Sequence, residues 1–314
     1  MRYHLGIDIG GTNIAVGIVD EFFNIIHKNS VPTLGKRSFA AVVKDVADTA
    51  KNTLTMASLT DNDIEYVGIG VPSTVNPNNQ HIVFANNLGW TDVDLATEFH
   101  KTWNIPVIIG NDADCAAFGE SLAGAAKHYD STLMITLGTG VGGSFIYKNE
   151  IFKGGNGFSC EPGHIALCYN GLLCTCGRRG CLEAYASVTA LIRQTIEAIA
   201  AQPHSRMADI CGYDLRNITG ETCFKAAKEG DEAALLVVEN YVNYLAMGII
   251  SLVNVFRPDV VLIGGGISHQ GEYLLAPLRR VVQETLFATD MVEVPELLKA
   301  TLGNDAGIIG AAYL

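Results

Sequence analysis

The sequence predicts an α/β protein built on a duplicated strand, glycine turn, strand unit. Three observations carry that prediction. Apolar runs of strand length alternate with stretches of helical spacing along the whole chain. The segment IDIGGTNIAVGIV near the start is matched about 130 positions later by LMITLGTGVGGSFIY, and two similar units at such a separation indicate duplication. Finally, 314 residues, 48% of them apolar and 17% charged, are enough for two domains with cores of their own.

In chain order, an apolar run ends at Asp8, a Gly10-Gly11-Thr12 turn follows, and further strands are expected over 14–19 and 22–26. Small residues in such a turn let backbone N–H groups approach an anion, although a plain hairpin uses the same composition. Asp8, at the strand end, is placed to hold a metal-bound water near that anion. The stretch 38–56 has helical spacing, with Phe39, Val42, Val43, Val46, Ala47 and Ala50 on one stripe. A strand over 66–71 follows. Asn and Pro mark 74–90 as a loop, which contains Asn86-Asn87-Leu88-Gly89-Trp90. A helix is expected over 95–103, then a buried strand over 105–109 that ends at Asn111-Asp112-Ala113-Asp114 and opens a helix over 116–126. An acidic residue there caps a helix, and it also stands where open α/β sheets place ligands. The second glycine turn, Gly138-Thr139-Gly140, repeats the first. Two such turns facing one another across a cleft could clamp a polyphosphate from both sides.

The most chemically dense stretch is EPGHIALCYNGLLCTCGRRGCLE, residues 161–183. His164 is followed after nine residues by Cys174, then Cys176 and Cys181. Three thiols and an imidazole complete a tetrahedral set for Zn²⁺, and four protein ligands leave no open position for water, so the site reads as structural. Gly171, Gly177 and Gly180 supply the tight turning, while Glu161 and Glu183 bracket the knuckle. The competing reading is three buried or spare cysteines beside an unrelated histidine. Beyond it, helices are expected over 184–201, 221–229 and 231–256, with a polar loop over 202–220. A strand over 259–263 runs into Gly264-Gly265-Gly266 and a helix over 271–287, a place where an adenosine could rest on a helix start. A closing helix over 307–314 should pack back on the first domain.

Charge and composition remove several classes. A formal net charge of −12 argues against nucleic acid as partner. No basic start with a long apolar stretch marks a signal peptide, and no apolar run is read as long enough to span a bilayer. Cys115, Cys160, Cys168, Cys211 and Cys223 are scattered, so a reducing, cytoplasmic location is expected.

With these residues laid out, the chain resembles the ROK family of sugar kinases, within the actin and hexokinase superfamily of duplicated, ribonuclease H-like folds, and among them the bacterial ROK glucokinases. The resemblance covers essentially the whole length and rests on DIGGTN (8–13), NNLGW (86–90), NDAD (111–114), LGTGVGG (137–143), ExGH (161–164), CxCGxxGCLE (174–183) and GGG (264–266). It implies two α/β domains flanking an interdomain cleft that closes on the sugar. Residues 1–115 would form the smaller domain, completed by a C-terminal helix over 303–314, and 116–302 the larger one with the zinc knuckle. It also implies ATP-dependent phosphorylation of a hexose at its 6-hydroxyl, most closely glucose, with a role in glycolysis. Asp112 would be the general base. Asn87, Asn111, Asp112, Glu161, His164 and Glu183 would hydrogen-bond the sugar. Asp8, Gly10, Gly11, Thr12, Asn13, Gly138, Thr139, Gly140, Gly265 and Gly266 would serve ATP and Mg²⁺, and His164, Cys174, Cys176 and Cys181 would hold Zn²⁺. A homodimer is implied, and no membrane. The family usually reads NDAN where this chain has Asp114, glycine where it has Cys160, and an aliphatic residue where it has Pro162. Other readings keep the body and change what it does. They are a kinase for N-acetylmannosamine, allose or fructose, a sugar-sensing repressor, which would need a DNA-binding domain in front, and a non-catalytic assembly protein.

Overall fold

A computed structural model describes residues 3–34 and 37–314. Strands β1 (Tyr3–Ile9), β2 (Asn13–Asp20) and β3 (Ile25–Pro32) lead to helix α1 (Phe39–Met56). Then come β4 (Ile64–Val71), β5 (Thr74–Val75), β6 (Ile82–Ala85), β7 (Trp90–Val93), α2 (Leu95–His100), β8 (Val107–Asn111) and α3 (Asp112–Ala123). The second half carries β9 (Ser131–Leu137), β10 (Val141–Tyr147), β11 (Glu150–Ile151), α4 (Glu183–Ala186), α5 (Val188–Ala201), α6 (Arg206–Ile210), α7 (Thr222–Lys228) and α8 (Glu232–Phe256). It ends with β12 (Val260–Gly264), α9 (Glu272–Thr285), β13 (Glu296–Lys299) and α10 (Asp305–Ala312).

The duplication is visible in the sheets. One has the order β3-β2-β1-β4-β8, the other β11-β10-β9-β12-β13, so the same succession occurs twice. In the first sheet β1 to β3 are antiparallel neighbours, and β4 and β8 join in parallel. A small sheet, β5-β6-β7, begins within the stretch expected to be loop and runs on to Val93. Its strands are two to four residues long, too short to register as a period.

The chain forms two compact units. Unit 1 holds the described residues up to Thr132, Ser144–Cys160 and Thr301–Leu314; unit 2 holds Leu133–Gly143 and Glu161–Ala300. Unit 1 therefore includes α3 and residues 144–160, beyond the boundary at 115 drawn from sequence, because α3 packs on α10: a Cβ on Gly119 would lie 2.1 Å from the Ala306 carbonyl oxygen. On one face of its sheet Leu5, Ile7, Ile9, Val16 and Ile18 pack with the Val42, Val43, Val46, Ala47 and Ala50 stripe of α1. Gly6 and Gly68 leave the other face bare enough for α10 to touch the backbone.

Several elements shift from their expected bounds for local reasons. Phe22 lies in a turn, where Asp20 Oδ1 accepts from both Phe22 N and Asn24 N at 2.9 Å, so the third strand begins at Ile25. Helix 184–201 is broken at Ser187, which is extended and caps α5 by accepting from Ala190 N at 3.0 Å. The helix after the triple glycine begins at Glu272, since a 3-10 turn over Gly266–Gln270 comes first. Finally, α8 is long and apolar enough to cross a membrane, contrary to the reading that no run suffices. In unit 2 it is a core helix, with Tyr241, Leu245, Ile249 and Val253 fully buried and Tyr241 Oη donating to Ala186 O at 2.9 Å.

Candidate active site

Unit 1 supplies the first glycine turn and a cluster of carboxylates. Gly10 N donates to Asn13 O at 2.8 Å, and buried Thr33 staples the turn from β3's end: its hydroxyl donates to Gly10 O at 2.6 Å and its N–H to Thr12 O at 2.8 Å. Neither Gly10 nor Gly11 has positive φ. A Cβ on Gly11 would meet only the Asn87 Cβ, at 3.8 Å, so the fold itself tolerates a side chain there. That spacing also brings Asn87, on a 3-10 turn ended by left-handed Gly89, beside the turn. A glycine the fold does not require is the kind a ligand requires.

Asn111 ends β8 and caps α3. Its Oδ1 accepts from Ala113 N at 2.8 Å and Asp114 N at 3.1 Å, and its Nδ2 donates to Ser73 O at 2.9 Å. One amide hydrogen is left for anything else. Asp112 is the first residue of α3. Burial raises its carboxyl above the usual carboxylate range, against the pull of the Ala113 N–H, and the charge of Asp114 raises it further. Asp8 is pushed up to about 7 by burial and then by Asp112. Asp114 is raised by burial and pulled down by Ser144, Ser159 and Lys153. These two serines and the lysine went unnoticed in the sequence, where nothing separates them from ordinary loop and strand residues.

Unit 2 supplies the second glycine turn and the metal loop. Gly138 N donates to Gly140 O at 3.0 Å. The start of α5 anchors the turn, Val188 N donating to Gly138 O at 2.9 Å and Thr189 Oγ1 to Thr139 O at 2.7 Å. A Cβ on Gly138 or on Gly266 would meet nothing within 4 Å, whereas Gly265 is demanded by the fold: φ is 81° and a Cβ would sit 2.3 Å from Leu137 O. Pro162 opens the 3-10 turn Pro162–His164, a position that suits its fixed φ, and Gly163 passes so near Val141 O that a Cβ would lie 1.9 Å away.

The ligand atoms of His164, Cys174, Cys176 and Cys181 lie within 4.8 Å of one another. Cys174 Sγ is 3.7 Å from His164 Nδ1, and Cys176 Sγ is 3.7 Å from Cys181 Sγ. Ligands about 2.3 Å from a tetrahedral zinc would be about 3.8 Å apart, so the donor set fits that ion. Gly177 and Gly180 are left-handed (φ 84° and 85°), while Gly171 is needed for proximity, its Cβ position lying 2.1 Å from Tyr185 Oη. The Arg178 N–H beside Cys176 holds that thiol below its ordinary range; burial pushes Cys174 up to about 12, a shift a bound cation would reverse. Glu183 joins this loop to the second glycine turn: Oε2 accepts from Val141 N at 3.1 Å, and Oε1 from Thr175 Oγ1 at 2.6 Å and Cys174 Sγ at 3.3 Å.

The model of the ROK family matches residues 4–314. This chain belongs to the ROK family. It is 35% identical to a glucokinase of Halalkalibacterium halodurans over 100% of this chain and 94% of the relative, and 34% identical to a glucokinase of Streptomyces coelicolor over 100% and 98%. Among solved structures, a ROK family glucokinase from Streptomyces griseus in complex with glucose and AMPPNP superposes with a TM-score of 0.85 at 33% identity, covering 99% of this chain and 98% of that one. The ROK fold, of the actin and hexokinase type, accounts for the doubled sheet order, and the chain carries a His/Cys group that could hold a metal ion.

Proposed function

We propose that this ROK protein transfers the γ-phosphoryl group of ATP to the 6-hydroxyl of glucose. The observation that carries this reading is Asp112, a half-buried carboxylate on the first residue of α3 whose proton affinity is raised. Phosphoryl transfer is mostly positioning and charge stabilisation, with a base needed as the hydroxyl attacks. Asp112 takes the 6-hydroxyl proton. Asn87, Asn111, Glu161, His164 and Glu183 are the groups assigned to the remaining hydroxyls. Gly10, Gly11, Thr12, Asn13, Gly138, Thr139, Gly140, Gly265 and Gly266 are assigned to ATP, and the unobstructed Cβ positions of Gly11, Gly138 and Gly266 support that role. Magnesium, held through water by Asp8, would neutralise polyphosphate charge. Zinc is the ion proposed for His164, Cys174, Cys176 and Cys181, as a stiffener of the loop between Glu161 and Glu183.

The choice of glucose is supported by the 34–35% identical glucokinases. A coupled assay of ATP consumption over a panel of hexoses tests it. The expected result is the highest kcat/KM with glucose; a tenfold preference for another hexose, about 1.4 kcal/mol of transition-state discrimination, would replace glucose and keep the chemistry. The scatter of Cys115, Cys160, Cys168, Cys211 and Cys223 outside the metal set supports a reducing, cytoplasmic setting. A homodimer through unit 2 is supported by exposed Leu235, Leu236, Tyr244 and Met247 on α8; sedimentation at the mass of one chain would reject it.

A further inference from the structure

Asp114 does work that the proposed reaction leaves unassigned. It is 4% exposed on the third residue of α3, and each of its oxygens accepts a serine hydroxyl, Ser144 Oγ to Oδ1 at 2.5 Å and Ser159 Oγ to Oδ2 at 2.6 Å. Such lengths belong to charge-assisted O–H···O⁻ bonds. Ser144 is wholly buried on β10. Ser159 is left-handed (φ 67°), a conformation unfavourable for a serine, and its N–H donates to Lys153 O at 3.1 Å. The charge of Lys153 and the start of α3 offset the cost of burying the carboxylate. The same first turn of α3 is tied to Asn111, whose Oδ1 accepts from Asp114 N. One side chain thus locks two things: the turn that bears Asp112 and the bend at Ser159, two residues ahead of Glu161.

We propose that Asp114 is a positioning residue for the sugar, fixing through Ser159 the direction in which the chain enters Glu161 and, through the first turn of α3, the aim of Asp112. The proposal rests on the assignment of Glu161 and Asp112 to the hexose made above. It differs from a purely structural knot in a measurable way, because a knot would lower thermal stability and leave glucose KM alone.

The test compares the wild-type protein with Ser159→Ala, Asp114→Asn and Asp114→Ala. It reads glucose KM, ATP KM, kcat, Tm and amide hydrogen exchange over residues 153–160. Ser159→Ala is expected to raise glucose KM about tenfold, with ATP KM within about twofold and exchange over 153–160 accelerated. Asp114→Asn, which can accept from one serine and donate to the other, should keep glucose KM near the wild-type value. Asp114→Ala should raise glucose KM at least as far as Ser159→Ala and lower kcat as well; where it fails to fold, Ser159→Ala decides alone. Glucose KM unmoved in Ser159→Ala, or moved as far in Asp114→Asn as in Asp114→Ala, overturns the proposal. A wild-type protein inactive on every hexose would reject the function instead, and unchanged exchange in Ser159→Ala would still reject the lock.

Discussion

At the residue scale the chain gathers three carboxylates in unit 1, Asp114 buried and Asp8 and Asp112 half-buried, and sets Asp112 on the end of a helix. Burial disfavours the charged form, so the proton on Asp112 is lost only above the ordinary carboxylate range. A general base works deprotonated, so kcat/KM for glucose should fall as pH drops through that raised value, not through about 4. Burial sets it first and the charge of Asp114 adds to it, with Lys153 acting on Asp114. Asp114→Asn removes one negative neighbour and should move the acid limb to lower pH; a limb that stays put would show that Asp114 is uncharged in the working enzyme. Asp112→Ala should lower kcat by about 10²- to 10⁴-fold while part of the glucose affinity survives, read by isothermal titration. The sequence placed Asp112 just past a buried strand, where either a helix cap or a ligand group can stand, and only the family resemblance pointed to a base. Ser144 and Ser159 were not legible there. They lie 30 and 45 positions beyond Asp114, a separation that carries no local signature, and only the fold brings their hydroxyls to its carboxylate.

At the scale of elements, the metal loop was the most readable part of the chain, because its ligands fall within eighteen positions and their residue types are uncommon together. Its glycines were read correctly in number and only partly in reason: two of the three turn left-handed, and Gly171 serves contact with Tyr185. What sequence could not show was Glu183, read as a sugar ligand, with its carboxylate accepting from both the metal loop and the Val141 N–H of the second glycine turn. This linkage predicts the effect of losing the metal. Chelation, or Cys176→Ala, should lower Tm by roughly 10 °C and should raise KM for ATP along with KM for glucose, since the glycine turn loses its brace when the loop loosens. Metal analysis of the purified protein should give one zinc per chain. Full activity in a zinc-free sample, or an ATP KM indifferent to chelation, would break the chain of reasoning at its first or second link.

At the scale of the whole molecule, the repeated glycine-threonine turn announced the doubled sheet order, but the element that completes unit 1 lies at the other end of the chain. Helix α10 follows β4 by about 240 positions; a closing helix on the first domain was expected from the sequence, but the strands it would touch were not. The contact is made by absence of side chains: a Cβ on Gly6 would lie 1.9 Å from Ile308 O, and one on Gly68 would lie 1.7 Å from Ala311 O. Neither glycine has positive φ, so backbone strain is not the reason for either. Closeness of helix to sheet is. Gly68→Ala must push α10 off β4, and α10 also carries Ile308, Ile309 and Ala312 into the apolar cluster with Val19. Overpacking at a rigid backbone contact costs about 2 kcal/mol or more, which corresponds to a Tm lower by roughly 5 °C or more for a unit of this size. The measurement is a thermal melt of Gly68→Ala beside Gly266→Ala, whose Cβ would meet nothing. The first variant should melt early with its KM for ATP near normal, and the second should keep its Tm while its KM for ATP rises. If both lost stability alike, the distinction between glycines held for packing and glycines held for a ligand would not stand.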